Sequence, residues 1–383
     1  MNWKPHAARL AEQVTHPGSR WRAPVQDIPR HLFVPWWWQR TPSGWELQEG
    51  PADEQQWLDA AYADRSLITR VGPLHADLAT PDDHPTGRPT SSATLPSLTV
   101  RMYQHARIGD DDTLLDLSLG SGYSTALAAH RLGEAQVTGV DIDPYLVDVA
   151  RERLAEAGLR PHLECADATK ELPGEHDRVV ATVALRPIPT AVLAALRTGG
   201  RLVTTLAGTS LIITATKNAD GGATGRVEWD RAGFMDARRG EDYPPGAGKR
   251  LAVASHQEGE QVSLGPYPVV DVANAWDLVS MLDLTVPGIE HEYREDEDQH
   301  RTALMAHPDG SWARAVAHGD ERPTVHQSGP QRLWDAFDEL RTYWLTNGEL
   351  PVRGARVFIK PDGTTILARG KWHTKLTGES RHG

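Results

Sequence analysis

The stretch TLLDLSLGSGYSTALAAHRLGEAQVTGVDID, residues 113–143, decides the fold of this 383-residue chain. Its apolar run from Leu114 to Leu117 predicts a buried parallel strand, and the residues that follow the glycines have helical spacing. Gly120 and Gly122 allow the backbone to turn tightly and to approach a ligand closely. A second apolar strand then ends at Asp141. This order of strand, glycine turn, helix and strand is typical of a nucleotide-binding α/β fold.

The acid at the end of the second strand indicates a nucleoside ligand. Asp141 follows the glycine turn by about twenty residues, the distance at which an acid accepts hydrogen bonds from ribose hydroxyls. A dinucleotide site would have a third glycine and a helix N-terminus free for pyrophosphate, whereas residues 118–123 read SLGSGY. S-adenosylmethionine carries no phosphate and fits this turn better. Asp167, after a third short strand, is then expected beside the adenine amino group.

Strands and helices continue to alternate after this stretch, which predicts a doubly wound parallel sheet. The expected strands lie at 114–117, 136–140, 162–163, 177–182 and 201–206, and the expected helices at 123–132 and 190–196.

Several further motifs occur in a consistent order. The segments read DIPRHLFVP at 27–35, AYADR at 61–65, TSSA at 90–93, LDLSLGSGY at 115–123, TVA at 182–184 and PIP at 187–189. Over roughly residues 20–240 the chain therefore resembles the protein-L-isoaspartate (D-aspartate) O-methyltransferases. That family has V-P-R-H-x-F-V-P, A-Y-x-D, T-I-S-A/Q, L-E-x-G-x-G-S-G-Y and T-A-A-A-P-x-I-P in the same order.

The resemblance implies a Rossmann-like class I methyltransferase that uses S-adenosyl-L-methionine and releases S-adenosyl-L-homocysteine. Cofactor contacts are expected from Asp116, Ser118, Leu119, Gly120, Ser121, Gly122, Tyr123, Asp141, Ile142, Asp143, Asp167, Ala168 and Thr182. Substrate contacts are expected from Ser91, Ser92, Val183, Ala184, Leu185 and Arg186. Two readings stay open for three of these residues. Asp116 and Asp143 orient the cofactor loop and ribose or are satisfied by backbone donors, and Arg186 holds a substrate carboxylate or faces solvent.

The chemistry favours positioning of the reactants over acid–base catalysis. An aspartate carboxyl group, with a pKa of about 3.9, is already ionised at neutral pH and needs no general base. Holding two reactants at near-attack distance can lower the barrier by roughly 7 to 11 kcal/mol. The Ser92 hydroxyl is the expected catalytic group, assisted by backbone amides of residues 182–185; the alternative is that it braces a turn. The ester can then close to a succinimide, which hydrolyses to aspartate or isoaspartate.

Two departures from the family pattern bear on the site. Ser118 replaces the first glycine of the cofactor loop, and a serine tolerates such a turn through local hydrogen bonds. The Pro-, Asp- and His-rich segment 73–89 is longer than the family's usual link into the T-x-S motif. A rebuilt substrate mouth is therefore expected.

The chain beyond residue 240 has a different pattern. We expect a catalytic domain at 1–240 that includes an N-terminal helical lid segment at 1–90, a linker at 241–265, and an α+β accessory domain at 266–383. Hairpins are expected at 301–306 with 311–317 and at 356–360 with 364–368, with a helix from Leu333 to Trp344 between them. Residues 300–370 resemble the C-terminal part of methyltransferases found with ATP-grasp peptide maturases, which implies peptide recognition.

Composition excludes several classes of function. The net charge is -12 and no Lys/Arg stripe is present, so a nucleic-acid partner is not expected. The N-terminus lacks the apolar core of a signal peptide, and no apolar run has membrane-spanning length, which predicts a cytoplasmic protein without a membrane partner. The acidic run 291–300 lacks metal-ligand spacing, so no metal site is expected. The single cysteine, Cys165, is expected to be a buried, inert thiol.

Together these features predict an O-methyltransferase that esterifies an aspartate carboxylate. The expected substrate is a ribosomally synthesised, macrocyclised peptide, as in lanthipeptide, graspetide or lasso peptide biosynthesis, with aspartimide and then isoaspartate as products. One alternative is a general protein L-isoaspartate repair enzyme. The other is a cofactor-binding but non-catalytic partner of a peptide maturase, which the serine at position 118 favours.

Overall fold

The computed structural model describes residues 1–238, 240, 242–243 and 248–377. The helices are α1 Lys4–Val14, α2 Arg22–Asp27, α3 Glu54–Ala61, α4 Pro96–Ala106, α5 Tyr123–Leu132, α6 Pro144–Glu156, α7 Thr190–Ala194, α8 Gly248–Ala254, α9 Trp276–Thr285 and α10 Leu333–Asn347. The strands are β1 Trp36–Thr41, β2 Gly44–Glu49, β3 Leu67–Val71, β4 Leu74–His75, β5 Pro89–Ala93, β6 Leu114–Leu117, β7 Val137–Asp141, β8 His162–Cys165, β9 His176–Leu185, β10 Leu196–Leu206, β11 Leu211–Lys217, β12 Ala223–Arg231, β13 Gln261–Leu264, β14 Glu290–Glu295, β15 His300–Ala306, β16 Trp312–His318, β17 Thr324–Ser328, β18 Arg356–Ile359, β19 Thr365–Arg369 and β20 Trp372–Leu376.

The main sheet confirms the predicted doubly wound fold. Its strand order is β20-β19-β18-β12-β11-β10-β9-β6-β7-β8, and the strands from β10 to β8 run parallel. Strand β6 has β9 on one side and β7 on the other, so the direction of winding changes at β6. Ligands bind at such a switch point, outside the carboxyl ends of the strands.

The predicted strands and helices of this sheet lie close to their expected positions. Strand β6 and helix α5 have the expected bounds, whereas β10 begins at Leu196, five residues before the expected Arg201. The register of β10 against β9 shifts between Leu196 and Arg201, and Gly199 has a φ of 82° there. Gly199 and Gly200, which lie between the expected helix and the expected strand, therefore form an irregularity inside a longer strand.

A second, N-terminal sheet lies before the cofactor-binding stretch. Strands β2, β1, β3 and β4 are neighbours in this order, and β5 pairs with β3. The segment expected to be a helical lid is thus partly a sheet, and β5 places Ser92 opposite Ile68. The WWW run contributes two buried side chains, Trp37 and Trp38, each 2% exposed. Packing is therefore the role of those two rings.

The C-terminal region divides differently from the expectation. Strands β13 to β17 form a separate five-stranded sheet on which α8 and α10 pack. Strands β18 to β20 instead extend the main sheet, because β18 pairs antiparallel with β12. Both predicted hairpins and the helix at α10 are present. The accessory unit is thus inserted before the last three strands.

The expected linker at 241–265 contains α8 and β13. Of that range, residues 241 and 244–247 lie outside the described residues. In the part of the chain that the structure describes, no helix combines the length and the apolar composition needed to cross a membrane.

Helix α9 fixes the accessory unit to the main sheet through polar contacts. Arg186, directly after β9, forms an ion pair with Asp283 of α9, and both side chains are nearly buried at 13% and 11% exposure. The Ser210 and Ser280 hydroxyls lie 3.0 Å apart in the same interface.

We expect Arg186→Met to lower the free energy of unfolding by about 2 kcal/mol, because it removes a guanidinium that faces a nearly buried carboxylate. Urea unfolding measures the change. The control is Arg151→Met, whose ion pair with Asp148 is exposed at 55% and 74% and should contribute less than about 1 kcal/mol. Equal losses in the two variants would contradict a structural role for Arg186.

Candidate functional site

A cavity of about 340 Å³ lies at the switch point of the main sheet. The carboxyl ends of β6, β7 and β9 form its floor, together with the loop after β8. Strands β3 and β5 of the N-terminal sheet form one wall, and residues 233–238 form another. The volume is within the range of small-molecule sites.

The cavity brings together most of the residues expected from the sequence. The lining includes Ser91, Ser92, Ser118, Leu119, Gly120, Ser121, Tyr123, Asp141, Ile142, Asp167, Ala168, Thr182, Val183 and Leu185. The lining does not include Asp116, Gly122, Asp143, Ala184 or Arg186.

The glycine turn between β6 and α5 has an unusual backbone. Ser118, Gly120 and Gly122 have positive φ values of 71°, 54° and 93°. A Cβ atom on Gly122 would lie 3.0 Å from the Ala150 Cβ, so this glycine allows helix α6 to approach the turn. The Ser118 carbonyl accepts a hydrogen bond of 2.9 Å from the Thr182 hydroxyl. Thr182 therefore stabilises the turn from the neighbouring strand β9.

Asp141 connects the end of β7 to this turn. Its Oδ2 accepts a hydrogen bond from the Gly120 amide at 3.0 Å, and its Oδ1 accepts one from the Asp143 amide at 3.1 Å. Burial raises the pKa of the carboxyl group, while these two amides act in the opposite direction. Each oxygen keeps a further lone pair, so the carboxylate can still accept hydrogen bonds from two hydroxyls of a ligand.

Asp167 lies across the cavity from the glycine turn, in the loop after β8. Its Oδ1 accepts hydrogen bonds from the amide of Thr169 at 2.9 Å and from the hydroxyl of the same residue at 2.7 Å. These bonds fix the carboxylate of Asp167 in the lining of the cavity. An adenine amino group is a suitable donor to such an acceptor.

Asp116 and Asp143 support the site from outside the cavity. Asp116 is fully buried and accepts 2.7 Å hydrogen bonds from Ser124 and Thr125, and burial raises the pKa of its carboxyl group to about 6. Asp143 caps α6 through the Tyr145 amide at 3.1 Å. It also lies 3.1 Å from His75 in β4, which joins α6 to the N-terminal sheet. Both carboxylates thus have partners within the chain: side-chain hydroxyls for Asp116, and a backbone amide together with His75 for Asp143. Of the two, only Asp143 shows one of the backbone donors that the sequence analysis gave as an alternative, among the residues that the structure describes.

The two serines of β5 differ in their availability. The Ser91 hydroxyl is buried and accepts a 3.0 Å hydrogen bond from Thr69. The Ser92 side chain is half-buried, lines the cavity and makes no hydrogen bond to the part of the chain that the structure describes. The Ser92 carbonyl would lie 3.6 Å from a Cβ atom on Gly120, so β5 runs directly beside the glycine turn.

Two expected substrate contacts are not available at the end of β9. The Ala184 amide donates to the Met235 carbonyl at 2.9 Å and cannot also hold a substrate. Arg186 is engaged by Asp283 and does not line the cavity, so both sequence readings of Arg186, a substrate ligand or a solvent-facing side chain, are wrong. In each case the partner comes from a distant part of the chain, residue 235 or helix α9, which local sequence does not reveal.

The sequence did not indicate the wall formed by residues 233–238. This segment runs beside the end of β9, where Ala237 donates to the Ala184 carbonyl at 2.9 Å and Gly208 donates to Asp236 at 3.1 Å. Tyr243 also lines the cavity and donates to the Asp236 carbonyl at 3.0 Å. The segment reads GFMDAR and has neither helical nor strand periodicity. Only its position after a strand of the sheet could have indicated it.

Cys165 is exposed, and its expected burial is wrong. The residue ends β8, the last strand at one edge of the main sheet as the described residues form it. Partial burial and the nearby carboxylates Asp141, Asp143 and Asp148 raise the pKa of the thiol. A raised pKa disfavours the reactive thiolate at neutral pH.

Comparisons with known proteins identify a matching family and several relatives. The family described as "Methyltransferase domain" matches residues 114–203. The protein-L-isoaspartate O-methyltransferase of Ignicoccus hospitalis is 31% identical over 183 residues, which are 47% of this chain and 69% of that protein. The enzyme of the same name from Methanoculleus marisnigri is 32% identical over 184 residues, 47% of this chain and 66% of that protein. The chain thus spans just under two thirds of the Methanoculleus relative.

The ribosomal protein L11 methyltransferase of Dechloromonas aromatica is 42% identical over 93 residues, only 24% of this chain and 30% of that protein. A solved structure of a protein-L-isoaspartate O-methyltransferase aligns over 98% of this chain and 100% of its own, with a TM-score of 0.49 and 15% identity.

The positive φ at position 118 generates a stability prediction. A non-glycine residue in the left-handed region has a backbone strain of about 1 to 3 kcal/mol. Replacement by glycine removes this strain, but it also makes the unfolded chain more flexible, which offsets part of the gain in stability. We expect Ser118→Gly to raise the free energy of unfolding by about 0.5 to 1 kcal/mol, measured by urea unfolding. Gly122→Ala is the opposing control, because its Cβ would crowd Ala150 and its φ is 93°. A Ser118→Gly variant less stable than the parent would show that the serine side chain outweighs the strain.

Proposed function

The chain belongs to the protein-L-isoaspartate O-methyltransferase family of S-adenosylmethionine-dependent carboxyl O-methyltransferases, and on that premise we propose that it methylates a carboxylate of a peptide or protein. The observation that carries the proposal is one cavity that contains both halves of such a site. Asp141 and the glycine turn lie on one side, and Ser92 lies beside them on β5, with a hydroxyl that has no hydrogen bond to the described part of the chain. S-adenosylmethionine, when bound, supplies an electrophilic methyl group.

The residues of the chain suit this cofactor. Asp141 offers oxygen lone pairs to ribose hydroxyls, and Asp167 offers an acceptor to the adenine amino group. Gly120 has a φ of 54°, which suits the tight turn beside them. Leu119, Ile142 and Ala168 supply apolar lining for the adenine ring. The site thus has acceptors where a neutral nucleoside has donors.

Catalysis by this chain is positioning rather than proton transfer. The substrate carboxylate is ionised at neutral pH and needs no base. The Ser92 hydroxyl donates to one carboxylate oxygen and leaves the other to attack the methyl group. Residues 233–238 and strand β5 line the cavity, so a carboxylate that binds between them exchanges part of its hydration for contacts with the protein.

We propose further that the substrate is a selected peptide, such as a ribosomally synthesised and macrocyclised one, whose methyl ester closes to aspartimide and opens to isoaspartate. A contact between segment 73–89 and a lining residue of the cavity supports selectivity. Arg88, at the end of segment 73–89, lies over the Tyr243 ring at 4.4 Å, and Tyr243 in turn contacts Asp236. The unit of β13 to β17 provides additional surface for recognition. A preorganised cyclic peptide would lose less conformational entropy on binding.

General repair of isoaspartyl sites is the second candidate, and the family relatives favour it. The two functions differ in one measurable ratio, the kcat/KM of a modified cyclic precursor peptide over that of linear isoaspartyl peptides of arbitrary sequence. A large ratio favours tailoring, and a ratio near one favours repair. A chain that binds S-adenosylhomocysteine but methylates neither substrate would be the non-catalytic partner of a maturase.

The first test concerns the cofactor. We expect Asp141→Ala to weaken the binding of S-adenosylhomocysteine at least 100-fold, because two hydrogen bonds to a charged acceptor contribute about 1.5 to 3 kcal/mol each. Isothermal titration calorimetry measures the affinity. Asp143→Asn is the matched control: it weakens the cap of α6 outside the cavity and should leave the affinity almost unchanged. Equal losses of affinity would exclude a direct role for Asp141.

The second test concerns Ser92. We expect Ser92→Ala to lower kcat for an isoaspartyl peptide roughly 10-fold or more while the affinity for S-adenosylhomocysteine stays within twofold, because the hydroxyl is proposed to act on the substrate in the transition state. The neighbouring Ser91→Ala is the control, since the Ser91 hydroxyl is bound to Thr69 and should affect stability more than turnover. Parental kcat in Ser92→Ala would assign the hydroxyl a structural role.

A further inference from the structure

The cavity contains a cation for which the described part of the chain shows no ion pair. Arg238 lines the cavity, and it is the only lysine or arginine among the lining residues that the structure describes. No described carboxylate lies within ion-pair distance of its guanidinium. Arg186, by contrast, is neutralised by Asp283 outside the cavity. The Arg238 side chain is half-buried, so part of the hydration of its charge is lost.

Backbone contacts hold the guanidinium in place without neutralising it. Nη2 of Arg238 donates to the Thr90 carbonyl at 3.3 Å, and Nη1 donates to the Gly240 carbonyl at 3.0 Å. A guanidinium has five N–H donors, so three remain after these two bonds. Thr90 precedes Ser91 and Ser92 on β5, and Arg238 is therefore fixed against the strand that carries the proposed catalytic hydroxyl.

The charge of Arg238 reaches the cofactor side of the cavity. Although burial is the main cause and raises the pKa of Asp141, Arg238 acts in the opposite direction. The guanidinium of Arg238 is therefore bound to Thr90 and close enough to Asp141, at the end of β7, to act on its charge. An anionic group that enters the cavity is attracted by one lining cation, Arg238. The lining also contains the carboxylates of Asp141, Asp167 and Asp236.

We propose that Arg238 binds the substrate carboxylate that is to be methylated, together with Ser92. This inference rests on the proposed function and names the group that recognises the substrate's charge. One N–H of Arg238 and the Ser92 hydroxyl hold the carboxylate through a single oxygen, and the second oxygen keeps a free lone pair for the methyl group. Arginine suits this role because its guanidinium stays charged and still has N–H donors left after its two backbone hydrogen bonds. The amide or ester of the same peptide, which lacks the charge, would be rejected.

The experiment measures binding of an isoaspartyl peptide to the full chain saturated with S-adenosylhomocysteine, which permits no turnover. We expect Arg238→Met to weaken this binding roughly 10- to 100-fold, the effect of losing a charged hydrogen bond, and Arg238→Lys to restore part of it. Arg101→Met is the control: this half-buried arginine on α4 donates to the Arg231 carbonyl, and its loss should leave peptide affinity within twofold. Thermal denaturation verifies that each variant is folded.

A second measurement shows whether Arg238 binds the carboxylate of the substrate or the carboxylate of the cofactor. S-adenosylhomocysteine carries a carboxylate and methylthioadenosine does not, so both are titrated into the parent and Arg238→Met. Equal affinities in the two proteins support the proposal. A loss confined to S-adenosylhomocysteine would assign Arg238 to the cofactor and overturn it, as would unchanged peptide binding. If the parent binds the peptide through Arg238 but does not methylate it, the proposed activity is refuted, whereas the inference about Arg238 still holds.

Discussion

The buried guanidinium of Arg30 is the interaction on which the catalytic half of the chain depends. Its side chain is fully inaccessible, and it donates to the backbone carbonyls of Ala61, Ala63, Arg65, Ala93 and Thr94. Burial lowers the pKa of the group, and the carbonyl dipoles replace the water that it has lost. It also lies 5.5 Å from the centre of the Tyr123 ring, at the start of α5.

Arg30 thereby connects motifs that are far apart in the sequence. The carbonyls it binds belong to the AYADR segment after α3 and to the end of β5, and Tyr123 ends the glycine turn. A single cation holds the wall of the cavity, which carries Ser92, against the floor, which carries the cofactor turn. This arrangement explains why several short motifs recur together in one order. Loss of the guanidinium would leave a set of buried carbonyls without donors, a larger penalty than loss of one contact.

The sequence predicted those parts of the structure whose signals are local. The run from Leu114 to Asp141 carries its own strand, turn and helix signals, and the structure places β6, α5 and β7 there. Both C-terminal hairpins were likewise indicated by their Asp-Gly turns. The sequence did not indicate which sheet each hairpin joins. The second hairpin joins the main sheet because β18 pairs with β12, and these strands are far apart in the sequence. The same limit applies to the site: Ser92 and Asp141 lie in motifs, whereas Arg186 and Arg238 are distinguished only by their neighbours in space.

The positions of β18 to β20 have a consequence for how the chain acquires its structure during synthesis. Strand β12 acquires its outer neighbour only when residues 356–359 arrive, after the whole of residues 232–355 has been made. Until then its nine residues present an unpaired edge, the kind of surface that promotes association between nascent chains. Early folding of the unit of β13 to β17 would shorten the effective loop between the two strands and lower the entropic cost of closing it. The inserted unit would then assist assembly of the catalytic sheet, whatever it recognises in the finished protein.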